Sequence, residues 1–219
     1  MLHRIKRLLF PPKCVLCKTL LQEQQTDLCH NCRQNAPEFT KEKIKFSFLA
    51  RWTAVWYYKD NVRQSLLRYK FSGRRSYAGA YGRMLAMQLQ KQQFDDFDVL
   101  TWVPVGPLRL RKRGYDQVEL IGQVVAKELG VSLTRTLRKI RNTPPQSGIP
   151  NAARRRANVL NAYKAVDTAL WQGKRILLLD DIITTGATAS ECAKVLLIAG
   201  AREVTCAAVA VASYDKNRK

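Results

Sequence analysis

The stretch ILLLDDIITTGATAS, residues 176–190, sets a continuous apolar run against two adjacent carboxylates and then a string of small hydroxylated residues around one glycine. Ile176, Leu177, Leu178 and Leu179 have the pattern of a strand buried on both faces, entered from the turn-forming Gln172, Gly173 and Lys174. Asp180 and Asp181 fall at its carboxyl end. Ala189, Cys192, Ala193 and Leu196 then recur at helical spacing between Ala187 and Ala199, and Gly200 is placed to stop that helix. A strand with no polar face needs helices on both sides, so the stretch points to an α/β fold with a mainly parallel sheet flanked by helices.

In an open α/β sheet ligands bind in the crevice outside the carboxyl ends of the strands, and a helix N-terminus offers unpaired N–H groups to an anion. Thr184, Thr185, Gly186, Ala187 and Thr188 are small enough to let the backbone approach a phosphate, while the threonine hydroxyls add hydrogen bonds from the side. Asp180 and Asp181 would repel that phosphate unless they faced hydroxyl groups or a divalent cation. The parts together fit a sugar 5-phosphate in the loop, its ring hydroxyls on the two aspartates, and Mg²⁺ nearby, held mainly by ligand oxygens and water. The plainer alternative is a buried strand ending in a solvated acidic turn and an ordinary helix cap.

Without a gap from Ile176 to Thr188, the segment resembles the signature of the type I phosphoribosyltransferases, which bind 5-phosphoribosyl 1-pyrophosphate (PRPP). In FDVLTWVPVGPLRLRKRGYDQ, Val99–Val105 reads as a strand and Gly106 and Pro107 as a turn; the resemblance implies that backbone groups of Val105 and Gly106 face the pyrophosphate. Arg109, Arg111, Lys112 and Arg113 follow, suited to the same ligand, to a longer polyanion, or to nothing more than a solvated basic turn. Ile121, Val124, Val125 and Leu129 make a core-facing helix stripe that closes at Gly130. TPPQSGIPNAARRRANV, from Thr143 to Val159, resembles the mobile loop that such enzymes close over PRPP, and reads equally as a surface loop. WTAVWYYKD, residues 52–60, reads as a strand and NVRQSLLRYKFSG as a short helix, whose Lys70 and Phe71 either line the ligand site or simply end a basic helix.

The other end of the chain carries CVLC and CHNC, two CxxC knuckles with eleven residues between them. Cys14, Cys17, Cys29 and Cys32 supply four thiolates, the ligand set of a closed, structural Zn²⁺ site; two disulfides are the rival. The segment MLHRIKRLLFPPK is too short and broken in its apolar run to read as a signal peptide, and no stretch approaches a membrane span, which favours a reducing cytoplasmic setting and zinc. A module this small also needs a metal to hold it together. His30 is expected in solvent, and Cys192 and Cys206 as buried small hydrophobes.

With 219 residues the chain has room for a zinc-ribbon module over residues 1–48 and a phosphoribosyltransferase-like domain over residues 49–219, the boundary falling in NAPEFTKEKIKFSF. The 38 basic and 17 acidic residues give a net charge of +21, more than a small anionic substrate requires. The basic residues gather at RIKR, RLRKR, LRKIR and RRR. Nucleic acid is the leading partner; acidic lipid or an acidic protein are the alternatives. Arg111, Lys112, Arg113, Arg154, Arg155 and Arg156 are the candidates for phosphate contact. Since no helix-turn-helix, finger helix or aromatic stacking platform is evident, binding is expected to be insensitive to sequence.

A four-cysteine module followed by a phosphoribosyltransferase domain with RGYDQ, PPQSG and RRRANVLNAY resembles the ComF family over nearly the whole chain, its short single ribbon being most like the ComFC branch. That resemblance implies a cytoplasmic role in natural transformation, handling incoming single-stranded DNA beside a ComFA-like ATPase, with contact to the inner face of the membrane through such partners. One position departs from the catalytic relatives. Purine-salvage enzymes place an aspartate, able to act as general base, at the first loop position; here it is Thr184, whose hydroxyl cannot do so at neutral pH. Enzymatic activity is therefore left open: a PRPP-binding DNA-uptake protein comes first, then an active phosphoribosyltransferase with an unknown acceptor, a PRPP-sensing regulator, and a structural adaptor.

Overall fold

A computed structural model describes residues 11–40, 44–144, 149 and 151–212; the RIKR run and residues 145–148 and 150 of the proline-rich segment lie outside the described residues. Along the chain the elements are α1 (His30–Asn35), β1 (Trp52–Tyr57), α2 (Asp60–Phe71), α3 (Tyr77–Lys91), β2 (Val99–Trp102), α4 (Pro107–Arg113), α5 (Gln117–Leu129), β3 (Leu137–Lys139), α6 (Ala152–Val159), β4 (Tyr163–Ala165), β5 (Arg175–Ile183), α7 (Ala187–Ile198) and β6 (Glu203–Val211). The main sheet has the order β1-β6-β5-β2 with every pairing parallel, while β3 and β4 form a separate antiparallel pair.

The expected double burial of the central strand is realised residue by residue. Leu177 and Leu179 enter a core with Leu66 of α2, Leu85 of α3, and Ile121 and Val125 of α5; Ile176 and Leu178 enter a second core with Cys192 and Leu196 of α7 and with Trp171. This is the two-residue period of a strand sandwiched between helical layers. Cys206 is buried on β6 and also belongs to the interior. Helices α3 and α5 approach closely at Gly82, where a Cβ would collide with the side chain of Val124.

Several element ends differ from the sequence expectation, each for a local reason. β5 continues through Asp180 and Asp181 to Ile183, because β6 runs alongside it to Val211 and extends the ladder beyond the apolar run. β2 stops at Trp102: the Val103 amide still bonds the Leu179 carbonyl, but Pro104 has no N–H and the Val105 amide is taken by the Asp116 carboxylate at 2.9 Å. Gly106 and Pro107 begin a helix, α4, with proline at its first turn, where the missing N–H costs nothing. The triple arginine run lies on α6, whose Asn151 cap accepts a hydrogen bond from the Arg154 amide at 2.8 Å. As the apolar stripe predicts, α5 ends at Gly130 in the left-handed conformation; Asp116 caps its start, accepting from the amides of Val118 and Glu119.

The cysteine module is welded to the sheet domain. Val15, Leu16 and Leu28 share one buried cluster with Tyr69 and Tyr81 of α2 and α3. The Ser65 hydroxyl donates to the Val15 carbonyl, Arg68 donates to the Leu16 carbonyl at 2.5 Å, and Arg83 pairs with Asp27 at 2.8 Å. The segment NAPEFTKEKIKFSF, where the domain boundary was expected, is also structured where described. The Phe39 amide bonds the Val55 carbonyl, and the rings of Phe39 and Phe46 pack on Trp52 at 5.0 and 4.9 Å, covering the free edge of β1.

Candidate functional site

Because side chains alternate along β5, Asp180 and Asp181 leave it on opposite faces. Asp181 turns toward α2 and α5, where Lys70 Nζ lies 2.8 Å from one carboxylate oxygen and Gln117 Nε2 donates to the other at 2.9 Å. Lys70 therefore belongs to the site, not merely to a basic helix end. Asp180 turns toward the α7 side and accepts the Asp181 amide at 2.7 Å. Burial, and then the neighbouring Asp181 charge, push its carboxyl up to about 8, against the opposing pull of Lys70. The two carboxylates thus differ in surroundings: Asp181 is held by Lys70 and Gln117, whereas Asp180 favours its protonated form at neutral pH. This relieves much of the repulsion that two adjacent aspartates would exert on a phosphate.

The loop that follows turns at Gly186, whose φ of +72° places it in the left-handed region, and the Ser190 amide bonds the Gly186 carbonyl as α7 begins. Thr184, Thr185 and Thr188 are half-buried around it, and Ala187 is buried. The ring of Phe46 packs so closely on Gly186 that any Cβ there would collide with it. The motif residues are therefore brought together at the carboxyl end of β5, with an aromatic from the first fifty residues against their outer side.

A second group lies at the start of α4. Gly106, Arg109, Lys139, Asn142 and Thr143 line a cleft of about 330 Å³. Arg109 donates to the Thr143 carbonyl at 2.7 Å and is half-buried. Lys139 is buried, donates to the Tyr163 hydroxyl at 3.2 Å, and has its amine held down to about 8 by burial and then by the Arg109 charge. Gly106 faces this cleft, whereas the Val105 amide is committed to Asp116. Arg111 and Lys112 are exposed on α4, Arg113 donates to the Gln117 side chain, and Arg154 and Arg156 are exposed on α6 with Arg155 donating to the Ile149 carbonyl at 2.8 Å. The 139–144 segment runs between these basic groups, Arg109 bonding Thr143 on one side and Asn158 of α6 bonding Pro144 at 3.1 Å on the other. Sequence reasoning did not place Asp116, Gln117 or Lys139 in the site, although Asp116 and Gln117 end the RGYDQ motif. The three lie 42 to 65 positions from Asp181, and no local pattern says which of them reach it.

The sulfur atoms of Cys14, Cys17, Cys29 and Cys32 all lie within 4.8 Å of one another, and none of the four is in a disulfide. Tetrahedral Zn–S bonds of about 2.3 Å require sulfur separations of about 3.8 Å, so the cluster fits one zinc ion. Cys29 precedes α1 and Cys32 sits within it, while His30 on the same helix is exposed.

The parallel sheet, the DDIITTG loop and the cysteine cluster define a type I phosphoribosyltransferase fold with an N-terminal zinc-ribbon module. The phosphoribosyl transferase domain family matches residues 119–219 and the double zinc ribbon domain family matches residues 5–44. Four of the chain's six cysteines stand in that ribbon segment, enough for one such metal site. The chain is 27% identical to competence protein F of Haemophilus influenzae over 88% of its length and 82% of that protein's. It is 29% identical to competence protein ComFC of Streptococcus pneumoniae, over 86% of the chain and 77% of that protein. With the DNA utilization protein YhgH of Escherichia coli it shares 28% identity over 80% and 74% of the two chains. Over most of its length the chain is thus similar to competence proteins of the ComF type, with a phosphoribosyl transferase domain and a zinc ribbon. No helix among the described residues is long and apolar enough to cross a membrane.

Two outcomes follow from this geometry. Since the ribbon shares the core of the sheet domain, Cys29→Ser should abolish zinc, near one equivalent in the parent, and lower the stability of the whole chain by on the order of 3 kcal/mol in urea titration; unfolding confined to the ribbon would show that the shared core is not cooperative. The second concerns Asp180, whose folded pKa lies above its unfolded value. Between about pH 4 and pH 8 the unfolded state releases this proton while the native state keeps it, so the wild type loses stability relative to Asp180→Asn as pH rises. The gap should widen by up to about 1.4 kcal/mol per pH unit and level off above about pH 8. A pH-independent difference in denaturant titrations would mean that Asp180 is ionised throughout.

Proposed function

We propose that this protein binds PRPP with Mg²⁺ at the loop Thr184–Thr188 and single-stranded DNA on its basic surface, and acts in DNA uptake during natural transformation. The observation that carries the first part is the turn at Gly186. It starts α7 at the carboxyl end of β5, so that the helix N-terminus and the threonine-rich turn stand beside Asp180 and Asp181, where an anion is favoured. The 5-phosphate takes the loop, and the ribose hydroxyls take the aspartates. The pyrophosphate takes the cleft at Gly106, where Arg109 and Lys139 supply positive charge. Mg²⁺ bound together with PRPP would offset part of the phosphate charge, and would be held mainly by ligand oxygens and water. The similarity to competence proteins and to a DNA utilization protein supports the wider role, and the +21 charge supports a polyanionic partner. A ComFA-like ATPase is the companion proposed for that role.

A second reading, phosphoribosyl transfer to an acceptor, is favoured by Lys139, a buried amine beside the cleft whose pKa near 8 suits proton transfer at neutral pH. Thr184, where a carboxylate base would stand, weighs against it, and the binding role is kept as the conclusion. A new phosphoribosylated species in mass spectra of protein, PRPP, Mg²⁺ and DNA would reverse that order.

Calorimetry with PRPP and Mg²⁺ tests the site. The double variant Asp180→Asn, Asp181→Asn should weaken binding at least tenfold by removing the acceptors for ribose, and Gly186→Val should abolish it, because valine is strained at that φ and collides with Phe46. Unchanged affinity in both would place PRPP elsewhere. For DNA, anisotropy titrations of the Arg154→Gln, Arg155→Gln, Arg156→Gln variant should show a shallower dependence of log affinity on log salt, by up to about 0.7 per lost phosphate contact. An unaltered slope would remove α6 from the DNA path.

A further inference from the structure

Exposed apolar residues such as Met87, Leu170 and Ile198 are scattered over the surface and call for no explanation. Phe71 differs in its surroundings. It is 67% exposed at the last position of α2, directly after Lys70 and shortly before the exposed Arg74 and Arg75. The Arg113 guanidinium lies 5.8 Å from its ring centroid, and Arg111 and Lys112 continue the positive charge along α4. The backbone beneath is fixed: Arg75 donates to the Gly114 carbonyl at 2.9 Å and stands over the Tyr115 ring at 4.7 Å, and the Tyr115 hydroxyl donates to the Tyr69 carbonyl at 2.7 Å. Two short routes lead inward from the ring to the same carboxylate. Arg113 bonds Gln117 and Gln117 bonds Asp181, while Lys70, the neighbour of Phe71, pairs with Asp181 directly.

A phenyl ring left in water beside these cations gains nothing from the core. It has the make-up of a single-strand platform, in which cations track the phosphates and an aromatic face receives a base. A duplex keeps its base faces stacked inside, and an acidic peptide would satisfy the arginines yet leave the ring without a planar partner. We propose that Phe71 is a base-stacking residue for single-stranded DNA, holding one base at the rim of the Asp181 site while Arg113, Arg111 and Lys112 contact the flanking phosphates. This assignment rests on the reading that the protein binds single-stranded DNA, and it adds a contact to the base, where that reading has contacts only to phosphate.

Anisotropy titrations with a labelled oligothymidylate and with an abasic strand of equal length test the assignment in the full-length protein, wild type against Phe71→Ala and Phe71→Trp. Phe71→Ala should weaken binding to the oligothymidylate about tenfold without changing the salt slope, leave the abasic strand unaffected, and keep the wild-type melting temperature, as expected for a ring this exposed. Phe71→Trp should retain or strengthen binding. Equal oligothymidylate affinity for wild type and Phe71→Ala would overturn the stacking role while leaving the DNA reading intact, as would equal weakening on both strands. Weakened binding of polyglutamate by Phe71→Ala, with DNA binding unaltered, would assign the ring to an acidic protein instead. Wild-type protein that binds no single strand at low salt would overturn both the DNA reading and this one.

Discussion

Two carboxylates at the end of a fully buried strand are the costly element of this molecule, and much of its polar interior is arranged around them. A lone buried anion is penalised by several kcal/mol, and two neighbours repel each other as well. The fold divides the problem. Asp181 receives Lys70 and Gln117 from two separate helices, and Asp180 on the other face favours its protonated form at neutral pH. Without a ligand to share the charge, such a pair works against stability. Its presence beside a small-residue turn at a helix N-terminus is the pattern expected where binding, not folding, has set the residues.

The same helix that carries Lys70 also receives the cysteine module. Ser65 and Arg68 of α2 bond the carbonyls of Val15 and Leu16 in the first knuckle, and Lys70 is half a turn beyond Arg68 on the same helix. The cysteine cluster and the carboxylate pair are thus joined by one short helix. The connecting segment adds a second link, since Phe46 packs directly on Gly186. A module that looks separable in sequence is, in the fold, part of the wall of the site.

Much of the architecture was legible in the chain because periodicity reports local burial. The apolar run at Ile176–Leu179 announces a doubly covered strand, the α5 stripe and Gly130 mark a helix and its end, and the paired CxxC spacing announces a metal knuckle. Where apolar pattern gives way to arginine, proline and glycine, the reading weakened. The residues of α4 and α6 read as a turn and a loop, because a short helix rich in exposed arginine has no apolar stripe to betray it.

What the sequence by itself determined is the set of local frames: a strand, a small-residue turn and a helix in immediate succession, and four thiols in two pairs. Those depend on neighbours within a few positions, so their order in the chain suffices. Which distant side chains enter the frames was decided only by the tertiary structure. Lys70 and Gln117 stand 111 and 64 positions from Asp181 and meet it because α2 and α5 pack on the same face of β5. The exposure of Phe71 depends on the same packing, since α2 buries Leu66 and Tyr69 and thereby turns its last residue outward. Helix packing on a sheet is set by side-chain shape across the whole core, and no local window of sequence contains that information.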